Sequence, residues 1–102
     1  MRIVHERGTV VRMSRSLMRR LRKNGSGAHV AEFGGRCGVV MGLVDYGNGV
    51  EGPELDVRWL PGKLRYAYAP WDLLPSKKKM RGARNKAELR SLRAQAVTSA
   101  FV

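Results

Sequence analysis

Two runs in the chain alternate strictly between apolar and polar residues, Glu54-Leu55-Asp56-Val57-Arg58-Trp59 and Leu64-Arg65-Tyr66-Ala67-Tyr68, with Leu60-Pro61-Gly62-Lys63 between them. A period of two places successive side chains on opposite faces of a strand, and proline then glycine at the centre of a tetrapeptide suits a type II turn. An antiparallel hairpin is therefore expected. Closing it at that turn opposes Trp59 with Leu64, Val57 with Tyr66 and Leu55 with Tyr68 on one face, the expected core side. The other face opposes Arg58 with Arg65, and like charges in that position destabilise a strand pair. Either a bound anion or Asp56, diagonal to Arg65, would remove the penalty, and the sequence leaves both open.

The rest of the chain is read around this hairpin. Its 102 residues allow one compact domain, and 43% hydrophobic residues suffice for a core. Gly8 to Met13 reads as a first strand. From Ser14 to Lys23 the apolar residues Leu17, Met18 and Leu21 fall at helical spacing, with Ser14 or Ser16 as N-cap and Asn24-Gly25 as the stop. Gly25-Ser26-Gly27 reads as a flexible joint leading into Ala28 to Phe33. Phe33 to Gly38 reads as a turn whose glycines supply positive φ, followed by a strand from Val39 to Val44 and a glycine-rich loop from Asp45 to Pro53. Ala69 to Pro75 reads as a tight turn and a last short strand. Beyond it, Ser76 to Lys86 is a basic linker, and Asn85 with Glu88 suggests a capping box for a helix to about Thr98 with a Leu89, Leu92, Ala96 stripe.

Charge is distributed unevenly along this order. The formal net charge of +12 divides into +6 over residues 1–32, −1 over 33–75 and +7 over 76–102. Two cationic flanks around a neutral middle repel one another, so a polyanionic partner accounts for them better than solubility does. In the first flank Arg15, Arg19, Arg20, Arg22 and Lys23 crowd the short helix, with Arg15, Arg19 and Arg22 at i, i+4 and i+7. In the second, Lys77, Lys78, Lys79, Arg81 and Arg84 precede Lys86, Arg90 and Arg93, which repeat that spacing.

Five short strands with a helix between the first and second indicate a mainly β chain: a small antiparallel barrel over residues 1–75, with a basic helix inserted at 14–24 and a basic linker and helix at 76–102. Within it, Gly35-Arg36-Cys37-Gly38-Val39-Val40, then Leu55-Asp56-Val57-Arg58-Trp59, Pro61-Gly62 and Ala69-Pro70-Trp71-Asp72-Leu73 resemble the KOW-type SH3-like barrels of ribosomal and transcription-elongation proteins. The resemblance spans about residues 8 to 75. It implies binding to RNA, DNA, or a ribonucleoprotein or transcription complex, with RNA favoured. The basic inserted helix and the C-terminal helix depart from that family.

Catalysis finds little footing. His5, His29 and Cys37 lack metal-ligand spacing, Glu54 and Asp56 occupy the solvent phase of a strand, and no glycine-rich segment has the context of a phosphate-cradling loop. No metal and no cofactor is expected. Trp59, Tyr66 and Tyr68 are expected in the core, whereas Trp71, in a turn, could either plug the barrel end or offer a stacking surface. No run approaches the ~18 to 20 apolar residues of a membrane span, the N-terminus lacks a signal-peptide stretch, and a lone cysteine suits a reducing compartment, so a cytoplasmic location is expected. The function expected is noncatalytic nucleic-acid binding. Phosphate contacts would come from the two basic flanks and from Arg58 and Arg65. The alternative is a protein-interaction adaptor that uses the barrel groove or the C-terminal stripe.

Overall fold

The computed structural model describes residues 5–44, 54–77 and 83–98. The expected loop Asp45 to Pro53, and Lys78, Lys79 and Arg81 of the basic linker, lie outside the described residues, as does the side chain of Arg84. In chain order the elements are β1 (Val10–Met13), α1 (Arg15–Lys23), α2 (Gly27–Phe33), β2 (Gly38–Val44), β3 (Glu54–Trp59), β4 (Arg65–Tyr68), a 3-10 turn (Pro70–Asp72), β5 (Leu73–Pro75) and α3 (Ala83–Thr98). The five strands form one antiparallel sheet in the order β4-β3-β2-β1-β5. The sheet does not close into a barrel, and with three helices the architecture is mixed α/β, not mainly β.

The β3–β4 hairpin has the register its alternation dictates. Leu55 pairs with Tyr68, Val57 with Tyr66 and Arg58 with Arg65, and Trp59 N–H donates to the Leu64 carbonyl at 3.0 Å. Gly62 holds the positive φ of 115° that the connection needs, and the Leu60–Pro61 peptide is cis. The core assignment of this face is only partly right. Trp59 and Tyr68 are buried, whereas Leu64 precedes β4 and is exposed, and Tyr66 is 41% exposed on the edge strand, its ring against His29 and Phe33 of α2.

The larger core cluster joins Val11 and Met13 of β1, Val40 of β2, Leu55, Val57 and Trp59 of β3, Tyr68 and Leu73 to Leu17 of α1 and Phe33 of α2. A second cluster joins Val39 and Leu60 to Leu92 and Ala96 of α3, with Met41 and Leu89 at its edge. Val39 and Val40 are consecutive, so the clusters occupy opposite faces of β2. A strand covered on both sides needs a continuous apolar run instead of alternation, which is what Val39-Val40-Met41 supplies. Met41 is the extra residue of a bulge between the Val40–Val57 and Gly42–Asp56 pairs.

Helix α3 therefore belongs to the globule and is more than an appended tail. It starts at Ala83, two residues before the expected cap at Asn85. Glu88, expected to close a capping box, instead accepts from the Gly62 N–H at 3.4 Å. Between the expected joint and turn, where the sequence pattern assigns no element to Ala28 to Phe33, the structure holds the short helix α2, which buries Val30 and Phe33. None of the three glycines that follow it has a positive φ, and two of them, Gly34 and Gly38, serve space. A Cβ on Gly38 would lie 2.4 Å from Val57 Cγ1 and 2.9 Å from Trp59 Cε3, so only glycine lets β2 approach β3 there.

Candidate nucleic-acid interface

Helix α1 is fixed at both ends. Ser14 is its N-cap, its side-chain oxygen accepting from Leu17 N–H at 3.0 Å. At the other end Gly25 adopts φ 84°, Ser26 N–H donates to the Leu21 carbonyl and Gly25 N–H to that of Arg22, which together form a Schellman stop. Leu17 is buried, and Met18 and Leu21 pack against the core. A third anchor comes from the 3-10 turn. Asp72 is buried; its carboxylate accepts from Arg20 Nη2 at 2.6 Å and its carbonyl from Ser14 N–H at 3.0 Å.

With one side packed and Arg20 held, the opposite face of α1 carries Arg15, Arg19, Arg22 and Lys23. Together with Met18 these residues line an open depression of about 450 Å³. All four cations are exposed, and among the described residues none of their side chains makes an ion pair or a hydrogen bond. No acidic residue occurs in α1. Three acid groups elsewhere are engaged by other arginines. Asp72 holds Arg20, Glu32 holds Arg36 at 3.2 Å, and Asp56 is bonded to Arg65.

The last of these pairs resolves the opposed arginines of the hairpin. Asp56 neutralises Arg65, and the hydrogen bond that Arg65 Nη2 donates to its carboxylate raises the Arg65 pKa above its ordinary value. Arg58 Nε reaches the Gly62 carbonyl at 3.5 Å. The register thus needs no anion.

Of the C-terminal set, Lys77, Lys86 and Arg90 are exposed, while Arg93 Nε donates to the Gly8 carbonyl at 3.0 Å. Because α3 covers one face of β2 and α1 packs into the cluster on the other, the two basic helices do not merge into one surface. The Leu89, Leu92, Ala96 stripe is covered by the protein's own sheet, which withdraws it as a docking surface. Trp71 does not plug the sheet: it is 59% exposed, whereas Trp59 is 0% exposed.

The remaining candidates for chemistry have structural partners. His5 Nε2 donates to the Leu73 carbonyl at 3.0 Å, and His29 Nε2 meets the Tyr68 hydroxyl at 2.6 Å. Cys37 is a buried free thiol 3.3 Å from Ser76 Oγ. Among the described residues no group of three or more His, Cys, Asp or Glu side chains could hold a metal ion, and no helix is long and apolar enough to cross a membrane. The pairing of Arg20 with Asp72 could not be read in advance because 52 residues separate the two. Comparison with protein-family models, with curated proteins and with solved structures finds no match to this chain.

Proposed function

We propose that the protein is a noncatalytic nucleic-acid-binding protein whose principal phosphate contact is the exposed face of α1. One observation carries the reading: Arg15, Arg19, Arg22 and Lys23 share a face without an acidic partner among the described residues, while Arg20, Arg36 and Arg65 each have one. Unneutralised cations on a rigid, doubly capped helix match the spaced charges of a phosphate backbone, and counterion release then drives binding. The exposed Lys86 and Arg90 of α3, on the other side of β2, offer a second, weaker contact, and Lys77 beyond β5 is exposed as well. The resemblance of residues 8 to 75 to KOW-type SH3-like barrels supports RNA or a ribonucleoprotein over DNA. The strand order, a meander with β5 beside β1, supports reading the sheet as an open relative of that barrel. A cytoplasmic location belongs to the same proposal.

The test is the triple variant Arg15→Ala, Arg19→Ala, Arg22→Ala, measured by fluorescence anisotropy at several salt concentrations. Binding should weaken for every nucleic-acid sequence alike, and the slope of log K against log salt should fall by about one unit per lost contact. An unaltered affinity and slope in a folded triple variant would overturn the assignment and leave the adaptor function in its place.

A further inference from the structure

We infer that the site takes unpaired nucleic acid, with the Trp71 indole as the platform on which a base stacks while the α1 cations hold the adjoining phosphates; this rests on the reading of α1 as a phosphate contact. The two tryptophans divide the roles available to an indole. Trp59 is fully buried and donates its N–H to the Tyr68 hydroxyl at 3.0 Å, so packing accounts for it. Trp71 is 59% exposed, and among the described residues its indole makes no hydrogen bond or ring contact. Packing therefore does not explain its presence.

The exposed ring is also rigidly carried. Pro70 precedes it at the start of the 3-10 turn, Asp72 N–H closes that turn on the Ala69 carbonyl at 3.0 Å, and Leu73 just beyond is buried. Asp72 ties the same turn to α1 twice, through Arg20 and through the Ser14 N–H. Arg20 lies one residue on from Arg19, about 100° around the helix, so the turn flanks the cationic face. An α-helix with its side chains is only about 10–12 Å across, so a strand crossing that face reaches Trp71 within a few nucleotides. The backbone carrying both parts is fixed beforehand, so the ordering cost at binding falls on the side chains alone.

The class of ligand follows from the chemistry of stacking. Bases within a duplex already have both faces covered, whereas an unpaired base has a free face, and stacking on an aromatic side chain tolerates any base identity. An exposed indole on the turn that Asp72 ties to the cationic helix matches an open base beside phosphates. A duplex would engage the cations and leave Trp71 unused.

Affinities of the full chain for a short oligouridylate, the same strand built with abasic residues, the matching oligothymidylate and a duplex DNA, at one salt concentration, separate these contributions. The base-bearing single strands should bind roughly tenfold tighter than the abasic strand, the worth of about one stacked base. Trp71→Ala should erase that margin and leave abasic and duplex binding unchanged, while Trp71→Phe keeps most of it. Melting temperatures near that of the parent confirm that both variants fold. A larger margin for the oligouridylate than for the oligothymidylate identifies RNA as the preferred source, and the reverse identifies DNA; both uphold the stacking. Equal binding of base-bearing and abasic strands, or a Trp71→Ala variant with the parent's margin, overturns the stacking inference while the phosphate site stands if the triple arginine variant still loses affinity. Failure of the parent chain to bind any of the four probes overturns both.

Discussion

A single hydroxyl organises the contact between α2 and the hairpin. The Tyr68 oxygen accepts from the Trp59 indole, which can only donate, and lies 2.6 Å from His29 Nε2. Its one proton therefore goes to His29, whose Nε2 has to be unprotonated to accept it. Burial acts in the same direction on both partners, lowering the His29 pKa below 6.5 and pushing Tyr68 from 10.0 up to about 12, so each is kept neutral. The unfolded chain binds a proton at His29 as pH falls below about 6.5 while the folded protein resists it. Stability from this site is thus complete above that pH and declines below it, until the folded histidine protonates as well. At the alkaline end the unfolded chain releases the Tyr68 proton near 10.0 and the folded protein only near 12, so stability declines between those values. Thermal denaturation across pH checks both limbs. His29→Gln, which still offers an acceptor but cannot titrate, should flatten the acid limb, and a variant that loses stability below that pH as steeply as the parent would contradict the assignment.

Among the elements, β2 organises the packing, since among the described residues it is the strand that contributes to both core clusters. The hairpin could be read to its register because two alternating strands and a Pro-Gly connection leave one way to bury Leu55, Val57 and Trp59 together. Docking of α3 could not be read in the same way. A Leu89, Leu92, Ala96 stripe says that a helix buries one side but not against what, and the complementary signal, the unbroken Val39-Val40-Met41, sits about fifty residues earlier. Helix α2 escaped for another reason: seven residues beginning at a glycine have little helical preference of their own, and burial of Val30 and Phe33 supplies the rest. These contacts make α3 a structural cover. Leu92, 2% exposed, should cost about 2–5 kcal/mol when replaced by alanine, measured by denaturant unfolding. Truncation after Pro75, which the sequence pattern alone suggests would leave a folded barrel, should instead uncover Val39 and Leu60 and produce a less cooperative, dye-binding protein. A truncated chain as cooperative as the parent would show that the second cluster contributes little.

Over the whole molecule, the net charge of +12 is held as local excess and not spread evenly. Asp72, Glu32 and Asp56 are committed to Arg20, Arg36 and Arg65, and no described acid is paired with the α1 face. The i, i+4, i+7 spacing of Arg15, Arg19 and Arg22 was legible from residue order, but the separation of Arg20 from that face and the outward placement of Trp71 depended on where the 3-10 turn docks. Within the row, Arg15 with Arg19, Arg19 with Arg22 and Arg19 with Lys23 stand at i, i+3 or i, i+4, each opposing helix formation by about 0.2–0.5 kcal/mol. Together they cost about 1 kcal/mol at low ionic strength, where the Debye length of about 30 Å at 0.01 M leaves them unscreened. For a domain of this size 1 kcal/mol corresponds to about 4–8 °C in melting temperature. The melting temperature of the free protein should therefore rise as salt is added from that concentration, the opposite of a fold held by surface ion pairs. In the triple variant Arg15→Ala, Arg19→Ala, Arg22→Ala it should start several degrees higher and change less, so that the two curves converge as screening becomes complete. Alanine's slightly better helix propensity accounts for the small offset that remains at high salt. Differential scanning fluorimetry across a salt series reads both curves, and a parent protein whose melting temperature falls with added salt would mean that attraction, not repulsion, dominates the charge on this fold.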